Sequence, residues 1–342
     1  MIIRSRAPLR ISFSGGGTDV EPYLSEYGGQ VLNTTIDMFS HATLESRKDN
    51  RILLKSEDIG PETEEWDLFR PAEEPLKLLK ACVKCCNLAG FMPHGGFNLT
   101  THSDAPPGSG LGSSSALAVA VIGTMMEARR RAYSLIDVAR AAITAERVIA
   151  GIKGGKQDQY AAAVGGFNRT VFHKGTNDIN ILPLAMNTGT LLELEANLLL
   201  CYTGCSRADL GVIDDQTARL TSENSKEKSL HALHTMKAEC RTLEDILMDK
   251  SLIEFGTHLD ELWTLKKNLT PLISNLKIDA MYATAREHGC IGGKLLGAGG
   301  GGHLLLFVPP ENRKEVKYHL TELGGVIVPF HFNPKGLEVW TV

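Results

Sequence analysis

Two carboxylates near the middle of the chain have the chemistry of a catalytic site. Glu146 lies in a segment of helical pattern, and Asp158 follows twelve residues later, across the glycine turn in "GIKGGKQDQ" at 151–159. A carboxylate can ligate a hard divalent cation, and one beside a substrate hydroxyl can accept its proton. The pair therefore supplies a candidate metal ligand and a candidate general base. For either carboxylate alone, a solvated side chain near a turn is the plain alternative.

The stretch "PPGSGLGSSSALAV" at 106–119 has the composition of a phosphate-binding loop. Glycines allow backbone conformations that point successive N–H groups at one anion. A helix that begins near Ser113 adds unpaired N–H groups and a positive dipole end, and Ser114 and Ser115 add hydroxyl groups. A Walker A loop contains a lysine, whereas this stretch has no lysine or arginine, so positive charge must come from elsewhere. A serine-capped helix after a turn is the alternative.

Two further glycine clusters lie towards the ends of the chain. In "RAPLRISFSGGGTD" at 6–19, Arg10 precedes a triple glycine and Asp19 follows it; alone, this favours a solvated arginine and a turn-capping aspartate. "KLLGAGGGGHLLLFV" at 294–308 contains the spacing G-x-G-x-x-G. A dinucleotide fingerprint opens a helix, but this loop leads into the strand-like "HLLLFV". It therefore predicts a second backbone-lined loop that closes on the first, with a hairpin turn as the alternative.

The bulk composition is that of an ordinary globular protein. A length of 342 residues favours two domains, and the net charge of −4 argues against a nucleic-acid partner. No apolar run reaches about 18 residues, and "MIIRSRAPLR" is not a signal peptide, so we expect a cytoplasmic protein with no membrane segment. The seven cysteines include one C-x-x-C but no second pair at zinc-finger spacing, which predicts reduced, mostly buried thiols.

Strands and helices alternate in the predicted secondary structure that must position these residues. Apolar patterning predicts strands at 2–13, 31–46 and 95–104, and helices at 75–89, 113–131 and 134–150, the last capped by Ser134. After Pro183, "LELEANLLLCYTG" predicts a buried strand, 206–288 predicts several helices, and two strands then flank a helix at 311–323. The order predicts an α+β protein with one domain at 1–185 and a second at 186–342.

Together, the motifs P-x-R-I-x-F-x-G-G-G-T-D, P-P-G-S-G-L-G-S-S-S-A, G-G-K-Q-D-Q and K-L-x-G-A-G-G-G-G resemble those of the GHMP kinases, over nearly the whole chain. The resemblance implies a two-domain fold, with an N-terminal domain of the ribosomal-protein-S5-domain-2-like type and a C-terminal ferredoxin-like α/β domain. It also implies phosphoryl transfer from ATP with Mg²⁺. The "GGGTD" and "GGKQDQYAAAVGGFN" stretches look most like the heptose 7-phosphate kinases, with L-fucokinases as close relatives.

The resemblance also implies roles for single residues. Asp158 would be the catalytic aspartate beside the attacking hydroxyl, Arg10 its basic partner, and Ser114 and Glu146 the magnesium ligands. Asp19, with Gly16, Gly17 and Thr18, would bind the sugar. The glycine-rich loop in the stretch 294–308, called the third loop below, would border the sugar through Gly299 and Gly300. The residues expected to bind ATP are Pro107, Gly108, Ser109, Gly110, Leu111, Gly112, Ser113, Ser114 and Ser115.

Departures from related motifs guide the choice of substrate. Galactokinases have Glu-His where this chain has Gly16 and Gly17, which disfavours galactose. Fucokinase-like chains tend to have an aromatic residue where Lys156 stands here, and lysine suits a phosphate. Lys156, with Lys153 or Arg207, is therefore expected to receive a phosphate already on the sugar, although contact with the ATP phosphates or solvent is the alternative. The expected reaction phosphorylates the anomeric hydroxyl of a heptose 7-phosphate, by a monomer or homodimer; a fucose or other sugar 1-kinase, or a non-catalytic sugar sensor, are the alternatives.

Overall fold

The computed structural model describes residues 1–60, 63–130, 132–205, 211–249 and 252–342. The strands are β1 (Ile2–Ser14), β2 (Gly29–Ser46), β3 (Ile52–Ser56), β4 (Glu64–Glu65), β5 (Phe97–Ser103), β6 (Phe167–Phe172), β7 (Ile179–Pro183), β8 (Leu198–Tyr202), β9 (Gly292–Leu295), β10 (His303–Phe307), β11 (Val326–Val328) and β12 (Glu338–Thr341). The α-helices are α1 (Tyr23–Tyr27), α2 (Lys77–Leu88), α3 (Ser113–Ala128), α4 (Leu135–Ile143), α5 (Gln157–Val164), α6 (Thr188–Asn197), α7 (Val212–Thr221), α8 (Lys226–Asp249), α9 (Leu252–Lys267), α10 (Leu276–Glu287) and α11 (Arg313–Glu322).

The first sheet carries most of the predicted N-terminal elements. Its order is β12-β1-β2-β5-β3-β4, and the long strand β2 also pairs with β6, which pairs with β7. Helices α3 and α5 cover β1 and β2 on one face, and the inner positions Leu9, Ile11 and Phe13 of β1 are fully buried. The strands and helices predicted for the first 165 residues are confirmed, with ends that shift by a few residues.

Helix α4 shows how local sequence fixes an element that carries chemistry. Ser134 caps it: its Oγ accepts a hydrogen bond from Asp137 N, and the Asp137 side chain accepts one from Ser134 N, which is a capping box. After Ile143 the helix widens into a π-helical segment, Thr144–Ile149. Such segments occur frequently at functional sites, and this one contains Glu146.

The second sheet is antiparallel and has the order β11-β8-β10-β9. If its strands are numbered as they occur along the chain, their order in the sheet is 4-1-3-2. Helices α7 to α10 lie between β8 and β9 in the sequence. The predicted strand at 192–204 was wrong in its first half, because residues 192–197 belong to α6. Asn187 caps that helix by accepting a hydrogen bond from Thr190 N at 2.9 Å. The alternation in "LELE" mimics a strand, but Leu194 is buried while Leu192 is 61% exposed, since they point to different sides of the helix.

The last strand returns to the first sheet. Strand β12 pairs antiparallel with β1, with Thr341 opposite Ile3 and Glu338 opposite Arg6. The expected second domain at 186–342 therefore ends in a segment that completes the first sheet. The boundary near 185 remains a proposal for the point where the chain first leaves that sheet. Among the described residues, no helix combines the length and apolar character needed to cross a membrane.

Candidate active site

Arg10 and Asp158 form an ion pair in a cleft that both halves of the chain line. Arg10 lies in β1 and Asp158 in the first turn of α5. Arg10 Nε and Nη2 donate to Asp158 Oδ1 and Oδ2 at 2.7 and 2.8 Å, and Nη1 donates to Gly110 O at 2.6 Å. The two side chains are 5% and 18% exposed. Arg10 therefore fixes the carboxylate and joins it to the glycine-serine loop.

The glycine-serine loop can approach the Asp158 carboxylate closely because three of its residues are glycines. Gly108, Gly110 and Gly112 have φ of +78°, +80° and +77°, a region that favours glycine. Helix α3 begins immediately after them, at Ser113, so its first N–H groups face the cleft end of the loop. A Cβ on Gly112 would lie 3.2 Å from Asp158 Oδ2. The loop thus brings a helix N-terminus next to the fixed aspartate.

The third loop closes on the glycine-serine loop. His303 N donates to Ser109 O at 3.1 Å, and the His303 ring Nδ1 lies 2.7 Å from the same oxygen. A Cβ on Gly110 would lie 2.7 Å from Leu296 O, which leaves room only for glycine. The loop leads into strand β10, not into a helix, so the rejection of a dinucleotide fingerprint is confirmed.

Glu146 is a buried carboxylate surrounded by donors. It is 1% exposed, and its oxygens accept hydrogen bonds from Ser114 Oγ at 2.5 Å, Ser115 Oγ at 2.7 Å and Gln159 Nε2 at 2.6 Å. Arg147 Nη1 lies 3.4 Å from Glu146 Oε1. Helix α3 and the π-helical segment therefore meet where the Glu146 carboxylate contacts the Ser114 and Ser115 hydroxyls. All of these groups offer hard oxygen ligands.

Asp19 is held at the other end of the cleft. Its side chain is buried, Oδ2 accepts from Gln157 N at 2.9 Å and Oδ1 accepts from Gly17 N at 3.2 Å. Burial raises the pKa of the Asp19 carboxyl, and the hydrogen bond from Gln157 N opposes that rise. A Cβ on Gly155 would overlap the Asp19 carboxylate. The sequence "GGKQD" therefore places glycine where the backbone must approach this acid.

The cleft brings together most of the expected site residues. The expected catalytic, nucleotide-binding, sugar-binding and metal-binding residues that line it are Arg10, Gly16, Gly17, Asp19, Gly108, Gly110, Gly112, Ser113, Ser114, Ser115, Glu146 and Asp158. Ser109 and Leu111 act through their backbone: Leu111 O accepts a hydrogen bond from Arg10 N at 2.9 Å.

Several expected substrate residues lie elsewhere. The Thr18 hydroxyl donates to Gly15 O at 2.7 Å and so serves the turn. Lys156 Nζ lies 3.5 Å from Glu21 Oε1, and of the two lysines expected to receive the phosphate, Lys153 lines the cleft and Lys156 does not. The third loop lines the cleft through Gly297 and Ala298, not through the expected Gly299 and Gly300. Arg207 lies outside the residues that the structure describes.

Comparisons with known proteins identify the family of this chain. The model of the GHMP kinases N terminal domain matches residues 77–166, and that of the GHMP kinases C terminal matches 242–325. The D-glycero-alpha-D-manno-heptose 7-phosphate kinase of Campylobacter jejuni is 33% identical over 341 residues, covering 99% of each chain. The chain belongs to the GHMP kinase family. It is therefore a phosphotransferase that acts on an alcohol group, as expected from its motifs.

Two further relatives of this GHMP kinase extend the comparison. The L-fucokinase/L-fucose-1-P guanylyltransferase of Bacteroides fragilis is 28% identical over 94% of this chain and 36% of its own length. The crystal structure of a D-glycero-D-manno-heptose 1-phosphate kinase from Bacteroides thetaiotaomicron superposes with a TM-score of 0.83 at 29% identity, covering 99% of both chains. The expected two-domain GHMP fold and the resemblance to heptose kinases and L-fucokinases are thereby confirmed.

Sequence reasoning missed three polar side chains in the cleft of this GHMP kinase. Ser12 Oγ, Gln157 Oε1 and Gln216 Nε2 are buried and have no hydrogen-bond partner, and all three residues line the cleft that contains Asp158. Buried polar atoms are nearly always hydrogen-bonded, so unpaired ones call for a ligand or ordered water. Their residue types are common, and only the fold brings Gln216 of α7 to the glycine turn of the first motif.

An apolar cleft adjoins the glycine-serine loop of the kinase. It shares Ser113, Ser114 and Ile152 with the polar cleft, and most of its other lining residues are apolar. Its apolar lining residues are Ile59, Pro75, Leu76, Leu78, Leu79, Ala105, Pro107, Leu117 and Ile152. The expected ATP-binding residue Pro107 belongs to this cleft. If a flat hydrophobic ring bound in this cleft, the groups attached to the ring would reach the N-terminus of α3.

Two lysines of the C-terminal half line the polar cleft. Lys294 is buried and its Nζ donates to Phe13 O at 2.7 Å. Burial lowers the pKa of Lys294 to about 8. Lys266 Nζ donates to Leu295 O at 2.7 Å and Gly297 O at 2.6 Å, which fixes the third loop. Cationic groups are thus present beside the glycine-serine loop, although the loop itself contains none.

Proposed function

We propose that the protein transfers the γ-phosphoryl group of ATP to the anomeric hydroxyl of D-glycero-α-D-manno-heptose 7-phosphate, giving the 1,7-bisphosphate. The observation that carries this proposal is that one cleft contains the Arg10–Asp158 pair, a helix N-terminus and the Ser114–Glu146 oxygens. The product would be an intermediate toward GDP-activated heptose for surface polysaccharide. The expected cytoplasmic location remains a prediction.

The nucleotide would bind across both clefts. The triphosphate would lie on the N–H groups of residues 108–115 and the start of α3, an arrangement that binds anions without a lysine in the loop. The purine would enter the apolar cleft between Leu76, Leu79 and Leu117. Hydrophobic walls with few polar groups are typical of such sites. This arrangement orients the γ-phosphoryl towards Asp158.

Mg²⁺ would be held by Ser114 Oγ and Glu146. The residues fit such an ion, because it prefers carboxylate and hydroxyl oxygens and Glu146 is buried with its carboxylate beside the loop. Gln159 and Ser115 keep that carboxylate oriented through hydrogen bonds of 2.6 and 2.7 Å. When bound with ATP, the ion would neutralise charge on the β- and γ-phosphates.

Asp158 would bind the attacking hydroxyl of the acceptor and take up its proton. Arg10 is the positioning residue, because its two parallel N–H bonds fix both carboxylate oxygens. Such bidentate pairs define the direction of a carboxylate as well as its charge. Phosphoryl transfer depends mainly on in-line positioning and charge stabilisation, and this pair provides the positioning.

The remaining hydroxyls of the sugar would bind the unpaired polar atoms of the cleft. Gln157 Oε1 can accept, Gln216 Nε2 can donate and Ser12 Oγ can do either. The buried Asp19 carboxylate can accept. A polyol offers a donor and an acceptor at every hydroxyl, so it can satisfy this mixed set, whereas a purely anionic acceptor cannot.

The phosphate already present on the acceptor would bind at the cationic rim of the cleft. Lys153 lines the cleft and is 67% exposed, and its Nζ contacts the Asp214 carboxylate. Lys156 lies three residues later, next to Glu21. An arriving phosphate can replace either acidic partner, so both lysines remain candidates for its recognition.

A panel assay of ADP release tests the substrate. Heptose 7-phosphate, unphosphorylated heptose, L-fucose and D-galactose are offered with MgATP at matched concentrations. We expect the highest kcat/KM with the phosphorylated heptose. Turnover of fucose without turnover of the phosphorylated heptose would overturn the substrate and leave the kinase family intact.

A sugar 1-kinase acting on L-fucose is the second candidate. It is favoured by the 28% identity to the fucokinase of Bacteroides fragilis over 94% of this chain. The unpaired polar set would serve either sugar, so the rim lysines discriminate between the candidates. A non-catalytic sugar sensor is disfavoured, because a sensor needs neither a positioned aspartate nor the Ser114–Glu146 oxygens.

A further inference from the structure

Two histidines and an aspartate form a cluster on the first sheet, outside the active-site cleft. His41 of β2 stands opposite His102 of β5 in antiparallel register, and Asp104 follows two residues later. One ligand atom from each of the three lies within 4.8 Å of the others. The neighbouring pair, Ser40 and Ser103, points to the opposite face, towards α3, because side chains alternate along a strand. The cluster therefore faces away from the helix layer.

The geometry suits a transition-metal ion. The two imidazole rings stack with centroids 4.3 Å apart and an interplanar angle of 7°, and His41 Nε2 lies 3.9 Å from Asp104 Oδ1. Tetrahedral zinc with imidazole and carboxylate ligands needs ligand atoms about 3.3 Å apart, which rotation of the exposed His102 and Asp104 side chains towards the half-buried His41 can reach. We propose that His41, His102 and Asp104 bind a divalent transition-metal ion of the zinc class, with water completing the coordination.

The surroundings orient the ligands and leave them accessible. Phe39 N donates to Asp104 Oδ2 at 2.7 Å, which fixes the carboxylate and leaves Oδ1 directed at the histidine. Such outer contacts are typical of metal ligands. The nearby cation Arg6 is paired with Glu338 at 2.6 Å, which offsets its charge.

The site lies where the chain leaves the sheet for the glycine-serine loop. Asp104 N donates to Phe39 O at 2.9 Å, directly after β5 ends. Behind it, Ser40 Oγ contacts Ser103 Oγ at 2.9 Å and donates to Ser113 O at 3.1 Å. A bound ion would tie β2 to the start of the loop segment. The proposal concerns metal binding alone and does not depend on the sugar substrate.

Calorimetric titration of the full chain with Zn²⁺, in excess Mg²⁺, tests the site. We expect one binding event whose affinity falls at least ~10-fold in His41→Gln, His102→Gln and Asp104→Asn, because each removes a ligand and even outer-shell losses cost about that much. Asp104→Asn keeps an acceptor for Phe39 N. His173→Gln, an exposed histidine beyond β6, is the matched control and retains wild-type affinity.

Equal Zn²⁺ affinity in the wild type and in the three ligand variants would overturn the proposal. Co²⁺ provides a second probe: a thiolate charge-transfer band would place the metal on a cysteine and would also overturn it. Thermal melting without metal checks that each variant folds. Should His41→Gln fail to fold, the exposed His102 and Asp104 variants decide the outcome.

Discussion

Asp158→Asn is the substitution that most directly separates catalysis from structure. The native carboxylate accepts two hydrogen bonds from Arg10, at 2.7 and 2.8 Å, in a largely buried position. Asparagine can accept only one of them, and its amide N–H₂ then faces a guanidinium N–H. The loss of one charge-assisted bond, together with a less well neutralised Arg10, should lower the free energy of unfolding by about 2–4 kcal/mol.

The catalytic effect should be distinct from that loss. If Asp158 takes up the proton of the attacking hydroxyl, kcat falls at least ~10², which corresponds to about 2.7 kcal/mol in the barrier. The assay is ADP release at saturating ATP and acceptor, below the melting temperature of the variant and normalised to folded protein. A loss of kcat with KM values within a factor of about three would locate the defect in the chemical step.

The chain offers a matched control for this experiment. Arg47 and Asp49 form the same bidentate arrangement, with two bonds of 2.7 Å, but at the exposed surface. The Arg47 hydrogen bond lowers the pKa of Asp49 to about 2. Asp49→Asn therefore breaks an equivalent pair and should leave kcat unchanged. A folded Asp158→Asn enzyme with near-normal kcat would remove Asp158 from the mechanism.

Three further predictions concern the rest of the cleft. Lys156→Met should raise KM for the sugar phosphate and leave KM for ATP unchanged. Lys153→Met, measured in parallel, shows which of the two lysines binds the phosphate of the sugar. A rise in KM for ATP alone would contradict the assignment. Gly155→Ala should raise KM for the acceptor at least ~10-fold by displacing Asp19, and an unchanged KM would show that this carboxylate does not bind sugar. Burial lowers the pKa of Lys294 to about 8, so below that pH the buried charge destabilises the fold. The free energy of unfolding should rise as the pH increases from about 8 towards the pKa of this lysine in the unfolded chain. Denaturant titrations should therefore show the wild type becoming more stable relative to Lys294→Met over that range, and a constant difference would refute this prediction.

Local sequence predicted those parts of the fold and site that depend on backbone conformation. The glycine-serine loop was predictable because Gly108, Gly110 and Gly112 must adopt positive φ before a helix, as they do. The capping box at Ser134 is equally local. In contrast, the alternation in "LELE" is the pattern of a strand, yet these residues lie in α6, which begins at the Asn187 cap and turns Leu192 and Leu194 to different sides.

The contacts that depend on long-range packing could not be predicted in this way. Gln216 reaches Gly17 only because α7 lies over the first motif: a Cβ on Gly17 would stand 2.8 Å from its Nε2. The motif comparison singled out Lys156 over Lys153, yet Lys153 lines the cleft and Lys156 does not. Their difference depends on how the turn before α5 is oriented, which composition does not encode.

The pairing of β12 with β1 has a consequence for how the protein folds during synthesis. Strand β1 contains Arg10, and its edge partner is supplied by residues 338–341. Until the ribosome has made those residues, one edge of the first sheet stays unpaired, and open edges invite pairing with other chains. Long-range pairings of this kind also slow folding, because the chain must close a large loop first. Strand β1, which carries Arg10 of the proposed catalytic pair, therefore gains its edge partner only after the second sheet has been synthesised.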